Sequence, residues 1–185
     1  RMGGADKALL PLAGRTLLDQ VLDRFAPQVA GLALSANGDP ARLAGFGCTI
    51  LADAAGERLG PMAGLAAGLN WLARQGGTHL ATAPVDAPFI PCDLVARLAD
   101  AVAGDPETIA LAESGGRLHP TCGLWPVTLG PALSAALAVG KRRIGRWALA
   151  MGARTVTFAK TRPDQFMNLN TPADLAAAEA ALAAS

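Results

Sequence analysis

The stretch THLATAPVDAPFIPCDLVARLADAV, residues 78–102, sets the fold class. Thr78 to Val85 is a short apolar run that reads as a buried strand, and Asp86-Ala87-Pro88 ends it. Pro91 then opens a helix through Leu94, Val95, Leu98 and Val102; proline at a first helical position loses no hydrogen bond. The same alternation repeats on both sides. Upstream, Pro61 opens a helix carrying Leu65, Leu69 and Leu72, and Cys48-Thr49-Ile50-Leu51 is a strand. Val29 to Leu34 is another strand, and Leu18, Val21, Leu22 and Phe25 lie at i, i+3, i+4, i+7 on one helix face. Downstream, Thr108–Ala112 and Leu118–Trp125 flank Ser114-Gly115-Gly116, a hairpin signal. Helices over Thr128–Val139 and Arg143–Met151, a strand Thr155–Phe158, and a last helix from Thr171-Pro172-Ala173-Asp174 complete the pattern. Strands separated by helices at this spacing form βαβ units. The expectation is a three-layer, Rossmann-like α/β fold: a mostly parallel twisted sheet with a late antiparallel hairpin.

The chain has 185 residues, of which 51% are apolar and 17% charged, enough to bury one core and consistent with a single domain over 1–185. Sixteen Lys+Arg against fifteen Asp+Glu leave a formal charge of +1, so no general attraction to nucleic acid or anionic lipid is implied. Cys48, Cys92 and Cys122 are odd in number and widely spaced, which suits a reducing cytoplasm better than a disulfide scaffold or a structural zinc site. No apolar run reaches the ~18–20 residues of a membrane span. The expectation is a soluble, cytoplasmic protein. Arg1-Met2-Gly3-Gly4 reads as a loop that a strand should feed, so a preceding strand and the start of that loop are expected beyond the first residue.

In parallel α/β sheets, ligands bind beyond the carboxyl ends of the strands. Four segments fall at that edge. Arg1-Met2-Gly3-Gly4-Ala5-Asp6-Lys7 combines glycines, which let backbone N–H groups approach phosphate oxygens, with two cations. It lacks the Walker A pattern, and an ordinary Gly-rich turn is the alternative. Asp53 follows the strand ending at Leu51 and precedes Gly56 and Gly60-Pro61-Met62-Ala63-Gly64. A carboxylate there can accept hydrogen bonds from a base or ribose, or simply form a turn. Asp86 ends an apolar strand between prolines; one such carboxylate suits Mg²⁺, which combines one or two protein carboxylates with substrate phosphates, while the alternative is a turn cap. The fourth segment pair is His119-Pro120-Thr121 with Asn168-Leu169-Asn170. His119 is a donor to an anionic ligand or a core histidine. Asn168 and Asn170 alternate with Leu169 and so share one face, suiting heterocycle or phosphate recognition, or capping duty. No G-x-S-x-G and no Cys–His pairing supports nucleophilic catalysis.

These residues, taken together, resemble the nucleotidyltransferases of the molybdopterin cofactor. The family pattern L-A-G-G-x-S-x-R-M-G-x-D-K resembles Arg1-Met2-Gly3-Gly4-Ala5-Asp6-Lys7, which has one residue more between Gly3 and Asp6, followed by Leu12-Ala13-Gly14-Arg15-Thr16-Leu17-Leu18. The resemblance continues through Gly60-Pro61-Met62-Ala63-Gly64-Leu65, Pro84-Val85-Asp86-Ala87-Pro88, His119-Pro120-Thr121 and Asn168-Leu169-Asn170-Thr171-Pro172, spanning nearly the whole chain in order. By these motifs it is nearest the guanylyl-transferring members. The resemblance implies a nucleotidyltransferase fold and transfer of GMP from GTP to molybdopterin, releasing pyrophosphate, with Mg²⁺. It implies catalytic roles for Lys7 at the triphosphate and Asp86 at the metal. Arg1, Gly3, Ser35, Asn37, Asp53 and Gly60 would join Lys7 and Asp86 in binding the nucleotide. His119, Asn168 and Asn170 are candidates for the pterin side. Other proteins of cofactor synthesis are implied as partners. The family's Asn-x-Asn after the second strand is here Ser35-Ala36-Asn37, and a serine cannot present an amide edge to a base.

Two other readings share the fold. A cytidylyltransferase acting on the same pterin, or on another small phosphate ester, would differ in the base pocket. A non-catalytic nucleotide-binding module would usually have lost Lys7 or Asp86.

Overall fold

The computed structural model describes residues 7–52 and 60–183. A small ribbon pairs β1 (Pro11–Leu12) antiparallel with β2 (Arg15–Thr16), turning through Ala13 and Gly14 at φ 50° and 80°. That positive-φ pair is the geometry of a tight two-residue hairpin. Thr16 then caps α1 (Leu17–Phe25): its side chain accepts from the Asp19 amide, and Asp19 accepts from the Thr16 amide. Next come β3 (Ala33–Ser35), a 3₁₀ segment Pro40–Phe46, β4 (Thr49–Leu51), α2 (Pro61–Arg74), β5 (His79–Thr82) and α3 (Leu94–Val102). The chain continues through β6 (Ala110–Ser114), β7 (Arg117–Pro126), α4 (Gly130–Ala138), α5 (Ile144–Ala150), β8 (Arg154–Phe158) and α6 (Pro172–Ala183).

β3 and β4 pair in parallel, and a four-stranded sheet runs β5-β7-β6-β8. In that sheet β7 is antiparallel to both neighbours and β8 is parallel to β6, so β5, β6 and β8 all point one way. The expected late hairpin is β6–β7, turning through Gly115 and Gly116 at φ 58° and 79°. One face of this sheet buries Ala110, Ala112, Cys122 and Leu124 against Leu94, Leu98 and Val102 of α3 and Val21 of α1. The other buries Leu111 and Trp125 against α2 (Met62, Leu65, Leu69), α4 (Leu133, Ala136) and α5 (Ile144, Trp147, Ala148). Helices on both faces make the three expected layers. Each fully buried Leu in these layers contributes roughly 1.5–3 kcal/mol relative to exposure.

Several element bounds differ from the sequence reading. The strand expected from Val29 pairs only from Ala33, because its partner β4 offers just Thr49, Ile50 and Leu51. β5 ends at Thr82 rather than Val85; Pro84 has no amide to continue a ladder. β6 begins at Ala110 because Thr108 instead hydrogen-bonds Asp105 at 2.6 Å. α3 starts at Leu94, a turn after Pro91, and Gln28 crosses from the α1 side to accept the Val95 amide at 2.8 Å while donating to the Pro91 carbonyl at 2.9 Å. Among the described residues, no helix is long and apolar enough to cross a membrane.

Candidate active site

Lys7 opens a short 3₁₀ turn, Lys7–Leu9, whose next residue, Ala8, is buried with Leu18, Leu34 and Leu43. That anchor fixes the backbone and leaves the lysine stem to reach outward. Its ammonium donates to Asp86 Oδ2 at 3.2 Å and to Asn170 Oδ1 at 2.5 Å. Asp86 lies in the turn that follows β5, closed by the Ala87 amide on the Pro84 carbonyl. The Asp86 carbonyl accepts the Leu169 amide at 2.8 Å, which stitches the Asn168–Asn170 segment to this turn. Leu169 is fully buried while Asn168 and Asn170 are exposed, so the two asparagines share a face as their alternation requires. Residues separated by 79 and 163 positions from Lys7 thus meet at one cation.

Asn170 also ends the approach to α6. Its amide and that of Thr171 donate to Asp174 Oδ2, at 2.9 and 2.8 Å, and the Asp174 amide donates to Thr171 Oγ1. These bonds, the Asn170 amide first, hold the Asp174 carboxyl below the usual aspartate range, and the Lys7 charge adds to the effect. The rigid cap therefore sets where the Asn170 carboxamide points.

Beside this cluster is a pocket of about 210 Å³, lined by Ala8, Leu34, Ser35, Asn37, Arg42 and Val85 among others. Ser35 ends β3, and α2 begins against it: a Cβ added to Gly64 would sit 2.7 Å from Ser35 Oγ. Gly60, the residue preceding α2, has φ 71°, a backbone state that favours glycine. The structure therefore brings Lys7, Asp86 and Asn170 into direct contact and sets Ser35 and Asn37 in the adjoining pocket. Arg42 also lines that pocket and escaped the sequence reading, because only the fold-back of the 3₁₀ segment brings it to the strand end.

His119 lies elsewhere on the same sheet edge. In the β6–β7 ladder Leu111 pairs with Gly123 but Ala112 pairs with His119, so β7 carries an excursion over Pro120, Thr121 and Cys122. The imidazole stacks on Phe166 with centroids 4.5 Å apart, and its Nε2 is buried without a hydrogen-bond partner among the described residues. Burial, above all, pushes its pKa below the ordinary histidine value. Phe166 precedes Asn168 by two residues, which links His119 to the Asn168–Asn170 segment through packing. Cys122 is no nucleophile: burial first and the Asp86 charge second push its thiol up to about 12. His79 is held by the Pro106 carbonyl at 2.7 Å. Arg1, Gly3 and Asp53 lie outside the described residues.

Among the described residues no three His, Cys, Asp or Glu side chains gather to form a metal cage. The donor set still fits a hard cation of the Mg²⁺ type. Such an ion needs only one or two carboxylates when substrate phosphates fill other positions, and Asp86, 16% exposed, faces the lysine expected at those phosphates.

Three comparisons bear on this arrangement. The model of the family described as MobA-like NTP transferase domain matches residues 1–154. A molybdenum cofactor guanylyltransferase of Cereibacter sphaeroides is 51% identical over 184 residues, covering 98% of this chain and 91% of the relative. Among solved structures, molybdopterin-guanine dinucleotide biosynthesis protein A from Archaeoglobus fulgidus superimposes with a TM-score of 0.76 at 19% identity, over 100% of this chain and 94% of the other. The Mycobacterium tuberculosis Rv0371c protein, in complex with manganese, superimposes with a TM-score of 0.66 at 19% identity, over 96% and 93% of the two chains. At those identities the two structures establish the α/β fold.

Proposed function

The chain belongs to the family of MobA-like NTP transferase domains, and from that premise we propose that it is a molybdenum cofactor guanylyltransferase. It transfers GMP from GTP to the terminal phosphate of molybdopterin. An acceptor phosphate oxygen forms a bond to the α-phosphorus of GTP as the bond to the β-phosphate breaks, and pyrophosphate leaves. The nucleophile belongs to the substrate, so the protein acts by positioning and charge stabilisation. The observation that carries this reading is the meeting of Lys7, Asp86 and Asn170 beside a pocket lined by Ser35 and Asn37.

Lys7 supplies the cation against which charge on the triphosphate oxygens builds. Asn170 and Asp86 hold that ammonium from two sides, so its position is set before substrate arrives. Asp86 would also hold the divalent ion, Mg²⁺ in this reading, which when bound neutralises triphosphate charge. The manganese complex of the Mycobacterium tuberculosis protein, which shares this fold, supports the use of a divalent ion. Ser35, Asn37 and the Gly60 turn form the nucleotide side, together with Arg1, Gly3 and Asp53. His119 and Asn168 are assigned to the pterin side. Asn170 reaches the lysine itself, so it spans the two substrates. Three free cysteines suit the cytoplasm, where other proteins of cofactor synthesis would supply the pterin and receive the product.

Pyrophosphate release is measured with Mg²⁺ and molybdenum cofactor, using GTP and, separately, CTP. Release with GTP and not CTP is the expected result. Release with CTP alone moves the protein to the cytidylyl branch, and no release with either nucleotide sinks transfer to this acceptor.

A further inference from the structure

We infer that Arg42 is a positioning residue for the nucleotide base, a role that rests on the guanylyl-transfer reading and goes beyond it. Its guanidinium donates to the Asn37 carbonyl at 2.7 Å and to the Asp39 carbonyl at 2.5 Å. These two bonds close the turn that leaves β3 at Ser35, the side of the pocket where Ser35 and Asn37 stand. The turn needs such a clamp. Gly38, at its apex, has φ 89°, and glycine is the residue with the greatest freedom to leave any one conformation.

The clamp is itself braced. Asp39 caps the 3₁₀ segment by accepting the Ala41 amide at 2.9 Å, and Leu43, 2% exposed, anchors that segment among Ala8, Leu18 and Leu34. Arg42 lies between these two fixed points and folds back over the turn. Gly38 also makes room for it: a Cβ at that position would stand 3.3 Å from Arg42 Nη1. Room, backbone conformation and donor geometry at residues 37–42 all serve one contact, and that contact fixes the pocket wall rather than the reacting phosphate. A guanidinium suits the task because its planar fork reaches two carbonyls at once, whereas an ammonium is a single point charge on a flexible stem.

The consequence is a defect in nucleotide binding separated from a defect in chemistry. In Arg42→Ala and Arg42→Lys, GTP affinity measured by calorimetry and KM for GTP should both weaken about tenfold. At saturating GTP, kcat should stay within about twofold, and the preference for GTP over CTP in kcat/KM should shrink. Gly38→Ala keeps the arginine but strains the same turn and crowds its guanidinium, with a Cβ 3.3 Å from Nη1, so it should reproduce the loss and decides the matter if an Arg42 variant melts early. Wild-type GTP binding by either Arg42→Ala or Gly38→Ala overturns the inference. So does full rescue by lysine, which would make charge alone responsible. A loss of kcat with KM unchanged overturns it as well. The wild-type enzyme's own choice between GTP and CTP tests the guanylyl reading independently, since a turn that positions cytosine would show the same KM defect with CTP.

Discussion

Asp86 makes its bond to Lys7 with a side chain 16% exposed, while the lysine is 34% exposed. Because water reaches the lysine end of the pair, the interaction is partly screened and adds only modestly to folding, on the order of 1 kcal/mol. On the proposed function, its value is in the reaction. Asp86→Ala should lower turnover by at least about 100-fold, the scale of losing one stabilising group in a charged transition state, while the melting temperature stays near that of the wild type. Pyrophosphate release and a thermal melt on the same preparation check both halves; near-normal turnover would remove Asp86 from the mechanism. Lys7→Ala should chiefly raise KM for GTP or slow transfer, and if binding and turnover were both unchanged the phosphate role of Lys7 would be wrong.

Capping joins the site to its supporting elements. Thr16 and Asp19 form a reciprocal cap on α1, and Thr171 and Asp174 do the same on α6, with Asn170 drawn into the second. Thr16→Ala should cost about 1 kcal/mol of stability at neutral pH. The effect has a pH signature. The bonds from Thr16 hold the Asp19 carboxyl below its ordinary value, so the folded state binds the proton less readily than the unfolded chain does. The stability this contributes is complete above the unfolded aspartate pKa and is lost as pH falls through the lower folded value. Denaturant melts of wild type and Thr16→Ala at pH 7 and pH 3 should show the gap narrowing in acid. An unchanged gap would mean that Asp19 takes no part in the cap's stability.

Across the whole molecule, one four-stranded sheet is sandwiched between helices and depends on close approach at its centre. Gly123 pairs with Thr82 on one side and Leu111 on the other. A Cβ there would stand 2.8 Å from Leu111 Cδ2, 3.0 Å from Trp125 Nε1 and 3.1 Å from the Ala110 carbonyl. Trp125 cannot simply turn away, since its indole N–H donates to Thr82 Oγ1 at 2.9 Å and its ring stacks beside Trp147. Gly123→Ala should destabilise the fold by about 1–3 kcal/mol, the cost of overpacking a dense core. Chemical denaturation measures this, and wild-type stability would mean the sheet has slack that this packing does not suggest.

The α/β class, the order of helices and strands from α1 onward, and the late hairpin were legible in the sequence, because hydrophobic period, proline and glycine act locally, whereas the two-residue strands of the β1–β2 ribbon are too short to show a period. The side-by-side placement of Asn168 and Asn170 and the first-turn proline of α6 were legible too. Strand ends were not. β3 and β5 are as short as their partners and Pro84 allow, and a pairing partner is a tertiary fact. The same limit governs the site. Local pattern marked Lys7, Asp86 and Asn170 one by one but could not bring them together, nor find Arg42 at the strand end. Those contacts join residues up to 163 positions apart, and only the closing of the chain on itself determines which side chains meet.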